Sequence, residues 1–195
     1  MKQWLWAVVG AVALAGCASS DKGGKKDAVV HVNEDKVARV KTVDFAPQLI
    51  DCGRVAHCPT LGVRWTSETP NRAILLVGTF GGKAKVESIE FNARPHAPLR
   101  VRSKANVESS LPGVTAFAVP MDTLERVAFS KGAWVRVATD GAVIEENMHT
   151  GERSSPAADA FKRFVYEAYK GTDKELSMGL MDIFGDKPYE PNYEK

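Results

Sequence analysis

From Leu61 to Met148 the chain is dominated by short runs in which apolar and polar residues alternate. A two-residue period is the mark of a strand with one face in a core. Leu61, Val63 and Trp65 interleave with Arg64 and Thr66. Leu99 and Val101 sit between Arg100 and Arg102, and Thr115, Phe117 and Val119 alternate up to Pro120. Ala73-Ile74-Leu75-Leu76-Val77 is continuously apolar, which predicts a central strand covered on both faces. Lys83–Asn92 reads as its return strand across Gly81-Gly82, a pair of residues that suits the positive φ angles of a type I′ hairpin turn. The apolar phase slips between Val86 and Ile89, which places a bulge near Glu87-Ser88. Trp134–Thr139 and Ala142–Met148 flank Asp140-Gly141, a strong hairpin signal. Upstream, Val29–Asn33 and Val37–Val43 read as short strands around Asn33-Glu34-Asp35, an edge hairpin with imperfect alternation. Phe45 to Pro59 reads as a connector.

The period changes to the helical one in three places. Asp122-Thr123-Leu124-Glu125 resembles a capped start, with Leu124, Val127 and Ala128 on one face and Gly132 as the stop. Ser155-Pro156 opens the clearest helix: serine caps free amides and proline fits the first turn. Ala157, Ala160, Phe161, Phe164, Val165 and Ala168 form its apolar stripe, and Gly171 ends it. Thr172-x-x-Glu175 is a capping box for a shorter helix that buries Leu176, Leu180, Ile183 and Phe184. Strands joined by tight turns, with helices gathered at the end, predict an α+β fold: an antiparallel β-sheet with C-terminal helices packed on one face. A β-sandwich with a trailing helix is the alternative.

The amino-terminal region follows a different rule. A short apolar run from Trp4 to Ala13 begins after Lys2 and ends in the small residues of Leu14-Ala15-Gly16-Cys17. The run is well short of the roughly 20 apolar residues needed to span a bilayer, so it reads as a secretory signal peptide. Leu14-Ala15-Gly16-Cys17 resembles the lipobox of the bacterial lipoproteins. The resemblance covers residues 1–17 and implies cleavage before Cys17, with diacylglycerol on its sulfur and an acyl chain on the new amine. Several chains on one residue give stable anchoring where one alone is marginal. Ala18 stands where an aspartate commonly retains such proteins in the inner membrane, so the resemblance implies the outer membrane, facing the periplasm.

Ser19 to Asp27 carries no large apolar side chain and reads as a flexible tether. Its Lys22, Lys25 and Lys26 would attract anionic head groups or simply keep the linker soluble. The predicted organisation is thus a signal peptide over 1–16, the lipidated Cys17 and tether over 17–28, one periplasmic α+β domain over 29–185 and a mobile tail over 186–195. The 195 residues carry a formal charge of only +2, with basic and acidic residues interspersed, which argues against a nucleic-acid surface.

With Cys17 assigned to lipid, Cys52 and Cys58 form an even pair in a compartment where disulfides persist, and a Cys52–Cys58 bond is expected. Zinc binding by Cys52, His57 and Cys58 lacks an evident fourth ligand, and redox activity lacks the Cys-x-x-Cys spacing. His31, His57, His96 and His149 contain no pair four residues apart, so no helical zinc motif is present. No serine sits in a Gly-x-Ser-x-Gly elbow, and Gly78–Lys83 fails the P-loop spacing. Glu145 and Glu146 are adjacent and would face opposite sides of a strand; with Asp44 and Asp51 they are the acidic candidates. Trp65 and Trp134 fall mid-strand, where core packing is the default and a sugar platform the sharper idea. No catalytic, metal or cofactor motif emerges. The expected role is therefore a non-enzymatic envelope binding or assembly protein. It would touch the membrane through its anchor and bind an envelope protein or cell-wall glycan, with Val37–Val43 as a candidate edge strand for a partner. A periplasmic hydrolase is the competing class.

Overall fold

In the computed structural model the described residues are 29–50, 52, 58–81, 84–93, 97–102, 109–130, 132–150 and 153–172. Along the chain they form β1 (Val30–Asp35), β2 (Val40–Leu49), β3 (Pro59–Thr66), β4 (Arg72–Thr79), β5 (Val86–Asn92), β6 (Leu99–Arg102) and β7 (Val114–Pro120). Then follow α1 (Met121–Phe129), β8 (Trp134–Thr139), β9 (Val143–Asn147), β10 (His149–Thr150), β11 (Arg153–Ser154) and α2 (Pro156–Tyr169). The fold is α+β, and every strand pair is antiparallel. The strands divide between a sheet ordered β1-β2-β3-β4-β7 and a second ordered β6-β5-β8-β9, with β10-β11 as a small ribbon.

Alternation decides which face of each sheet is covered. In the first sheet Val43, Phe45, Leu61, Val63, Trp65, Ala73, Leu75, Val77, Phe117 and Val119 are all buried on one side. In the second, Ile89, Phe91, Val135 and Val137 are buried. These residues belong to one contiguous apolar cluster with the stripe of α2. Phe161 of α2 joins them directly, lying edge-on to Phe45 of β2 at 5.4 Å and to Phe91 of β5 at 6.5 Å between ring centroids. The helix packs chiefly on the inner face of the first sheet, over β1, β2 and β3, and reaches the second through the Phe161–Phe91 contact; no residue of its predicted stripe is exposed.

Local chemistry sets the ends of α2. Ser155 Oγ accepts a hydrogen bond from the Ala158 amide at 3.1 Å, Pro156 follows it, and Gly171 takes a φ of 82° beyond the last turn. Lys41 of β2 donates from Nζ to the Glu167 and Lys170 carbonyls, at 2.6 and 3.0 Å. A cation on the last carbonyls satisfies orphan acceptors and complements the helix dipole.

Several expectations are corrected. The Gly81-Gly82 hairpin does not form: Gly81 has a φ of 88°, but β4 pairs with β3 and β7 while β5 lies in the other sheet. A glycine reports that positive φ is available and says nothing about which strand becomes the partner. Phe45 to Leu49 continue β2 rather than opening a connector. A register shift between Phe45 and Gln48 accommodates Pro47, which has no amide for the ladder. Gly62 of β3 lies under this bulge; an added Cβ would meet the Phe45 carbonyl oxygen and the Pro47 nitrogen at 2.8 Å.

The first hairpin turns at Lys36–Arg39, not Asn33–Asp35. Asp35 Oδ1 accepts from the amides of Val37 and Ala38 at 2.8 and 2.9 Å, and Arg39 takes a φ of 55°. At the start of α1, Pro120 occupies the cap position without a side-chain bond. The Met121 amide donates instead to the Asn71 carbonyl at 3.0 Å, so a neighbouring turn replaces the local cap. Asp122 lies inside the first turn and pairs with Arg126. The bulge at Glu87-Ser88 appears as a register shift between Val86 and Ser88 against β8. The helix expected after Thr172 lies outside the described residues.

Candidate functional site

The most organised group of polar side chains stands on the outer face of the second sheet. Register places Arg100 of β6 opposite Glu90 of β5, Glu90 opposite Arg136 of β8, and Arg136 opposite Glu145 of β9. The result is a cross-strand row of alternating charge over all four strands. Arg136 Nε lies 3.4 Å from Glu145 Oε2, and Arg100 Nε lies 4.0 Å from Glu90 Oε2. Both arginines are about half exposed, at 50% and 55% of their side chains. Exposed pairs of this kind contribute about 0–1 kcal/mol, so the row adds little to stability.

Next to this row lies a second, in which register sets Arg102 of β6 opposite Ser88, Ser88 opposite Ala138, and Ala138 opposite Val143, so that its residues on β5, β8 and β9 are small. The drop in side-chain size leaves a hollow of about 210 Å³ lined by Ser88, Glu90, Arg100, Arg136, Ala138 and Val143. On the other side of the charged row, Asn92 is opposite Trp134, and Trp134 opposite Asn147. Trp134 is half-buried and shares the outer face with Arg136, whereas Trp65 is a core residue whose Nε1 donates to the Pro70 carbonyl at 3.1 Å. The two tryptophans therefore do not form one platform.

The remaining sequence candidates are dispersed. His31 lies on the exposed strand β1, opposite Asp44 by register, and His149 lies on β10 opposite Ser154. Glu145 and Glu146 take opposite sides of β9, Glu145 exposed on the charged row and Glu146 half-buried. His57, His96, Asp51 and Cys17 lie outside the described residues. Among the described residues no group of three His, Cys, Asp or Glu side chains is placed to hold a metal. No described helix is long and apolar enough to cross a membrane.

Val37–Val43 does not supply a free edge. Residues 40–43 lie in β2, which is paired with β1 on one side and β3 on the other; β1 and β7 are the terminal strands of that sheet. Of the charged row the sequence singled out Glu145 alone, as an acidic candidate, and missed Glu90, Arg100 and Arg136. Each carried the only signal open to it, a charge within an alternating strand, but their alignment depends on register between segments up to 55 residues apart, from Glu90 to Glu145.

Cys52 and Cys58 are joined by a disulfide with a Cα–Cα separation of 5.7 Å. The bond closes the connection between β2 and β3 just beyond the last ladder pair, Leu49 with Thr60. The Cys58 carbonyl also accepts from the Phe80 amide at 2.7 Å, which ties the bridge to the end of β4. A loop this short restricts the unfolded chain modestly, and its loss is expected to lower stability by about 2 kcal/mol. The Cys52→Ala/Cys58→Ala variant should stay folded with an earlier urea midpoint. Titration of the native protein with a thiol reagent before and after reduction checks the bond itself, which releases two thiols.

Comparison with protein-family models, with curated proteins and with solved structures returns no match.

Proposed function

We propose that this chain is a bacterial lipoprotein of the outer membrane, held on the periplasmic face through an acylated Cys17, and that its α+β domain binds an envelope component. The anchor reading is supported by Leu14-Ala15-Gly16-Cys17 behind a short apolar run. A disulfide between the two other cysteines is what an oxidising compartment permits.

The observation that carries the binding role is the outer face of the second sheet. Its charged groups are paired across strands in an ordered row, and three of them, Glu90, Arg100 and Arg136, line one side of a hollow. Hydrolysis through a covalent intermediate would require a nucleophile within hydrogen-bond reach of a base. Ser88 is the hydroxyl of the hollow, and among the described residues it makes no hydrogen bond to a histidine or carboxylate. The ordered charged groups beside the hollow are what support binding as its function.

The test is crosslinking in intact cells from a photoreactive residue at position 143, with one at position 37 as the remote control. Recovery of a defined envelope component from position 143, and not from position 37, is the expected outcome. Recovery of nothing from position 143 across replicates contradicts the binding role.

A further inference from the structure

The hollow on the second sheet has a chemistry that narrows what it can receive. Arg100 and Arg136 both line it, on strands two apart and so about 10 Å from each other at the backbone. Each guanidinium carries five donors in a fixed fork that matches a carboxylate. Among the described residues neither donates a hydrogen bond; the contacts to Glu90 and Glu145, at 4.0 and 3.4 Å, are ion pairs without one. The donors that would recognise a planar anion are thus present beside the carboxylates of the row, and among the described residues they make ion pairs but no hydrogen bond.

The rest of the wall is small and mostly apolar, from Ala138, Val143 and Ser88. At about 210 Å³ the space is below the roughly 300–1,000 Å³ of pockets that enclose a whole small molecule. It fits one end group of something larger. On this basis, and resting on the reading of the domain as an envelope-binding module, we propose that the hollow receives the terminal carboxylate of a peptide whose last side chain is small. Arg136 and Arg100 hold the carboxylate, and the side chain, of methyl size, sits against Ala138 and Val143. Glu90 lies between the two arginines and opposes the incoming charge, so affinity is moderate and depends on salt.

Such a carboxylate has two sources in an envelope: the end of a protein chain, with L residues, or the end of a cell-wall stem peptide, with D residues. N-acetyl-dialanine in its L,L and D,D forms, each as free acid and as carboxamide, separates them and removes the amine as a confounding charge. The acylated mature protein in detergent micelles is titrated with each probe and followed through backbone amide shifts. Saturable shifts are expected at Ser88, Arg100, Arg136, Ala138 and Val143 with a free acid, at least tenfold weaker binding with its carboxamide, and the better-bound acid assigns the source.

Arg136→Gln is expected to weaken the acid at least tenfold with shifts elsewhere unchanged, and Glu90→Gln to tighten it severalfold. Equal binding of acid and carboxamide, weaker binding after Glu90→Gln, or no saturable shift on this face with any probe overturns the assignment. If the probes fail while position 143 still crosslinks to an envelope component, the carboxylate site fails and the envelope-binding role stands. If the probes bind while position 143 captures no component, the carboxylate site stands and the envelope-binding role fails.

Discussion

Replacing Phe161 with alanine is expected to remove about 3–5 kcal/mol of stability, the range for truncating a fully buried aromatic side chain. Domains are stable by only about 5–15 kcal/mol, so this single change brings the fold close to its limit. The reason is position as well as size. Phe161 is fully buried and lies edge-on to Phe45 in one sheet and Phe91 in the other. Each such aromatic contact adds about 0.5–1.5 kcal/mol beyond area burial. Its neighbour Phe164 is also fully buried but among the described residues makes its ring contact only with Phe45, at 5.9 Å. Phe164→Ala should therefore cost less. Val37→Ala is the control: Val37 is 96% exposed at the tip of the first hairpin, and its loss should change stability by less than about 0.5 kcal/mol. Urea unfolding of the three variants gives the order. A Phe161→Ala loss below about 1 kcal/mol would contradict a structural role for the Phe161 contacts with Phe45 and Phe91.

The second large effect falls at the other end of the chain. Cys17→Ser is expected to abolish acylation and the cleavage that depends on it, so the product keeps residues 1–16 and carries no fatty chain. Buried acyl chains contribute about 0.8 kcal/mol per CH₂, and two or more chains are what turn marginal binding into stable anchoring. The serine hydroxyl has no comparable nucleophilicity and cannot form the thioether. Labelling with a fatty-acid analogue, read beside the size of the product, checks both consequences. A labelled, shortened Cys17→Ser product would remove the anchor reading.

The parts of the fold legible in the sequence are those whose signals are local. Ser155-Pro156 with its apolar stripe defines α2, Asp140-Gly141 defines the β8–β9 hairpin, and the slipped phase at Glu87-Ser88 marks the bulge against β8. Each depends on residues within a few positions of one another. What could not be read is whatever depends on distant pairing. The apolar run of β4 announces burial, yet its partner is β7, some forty residues on, and not the segment that follows Gly81. The continuous apolar run of β4 is compatible with either neighbour, so it does not say which strands share its sheet. Capping at α1 failed for the same reason, because the acceptor for the Met121 amide is Asn71 in a remote turn.

The site was hidden by the same limit. Glu90, Arg100, Arg136 and Glu145 look like ordinary solvated positions one at a time. Only the registers of three separate strand pairs bring them into one row. The small residues of the hollow, Ser88 and Ala138, carry no signal of their own, since it is their contrast with the long side chains beside them that creates the space.

Lipid anchoring is read at first hand from the intact mass of the wild-type protein extracted from cell membranes. The expected species begins at Cys17, is heavier than its sequence by a diacylglycerol and a further acyl group, and contains the Cys52–Cys58 bond. A chain that begins at Met1, or one that begins at residue 17 with no added mass, would contradict it.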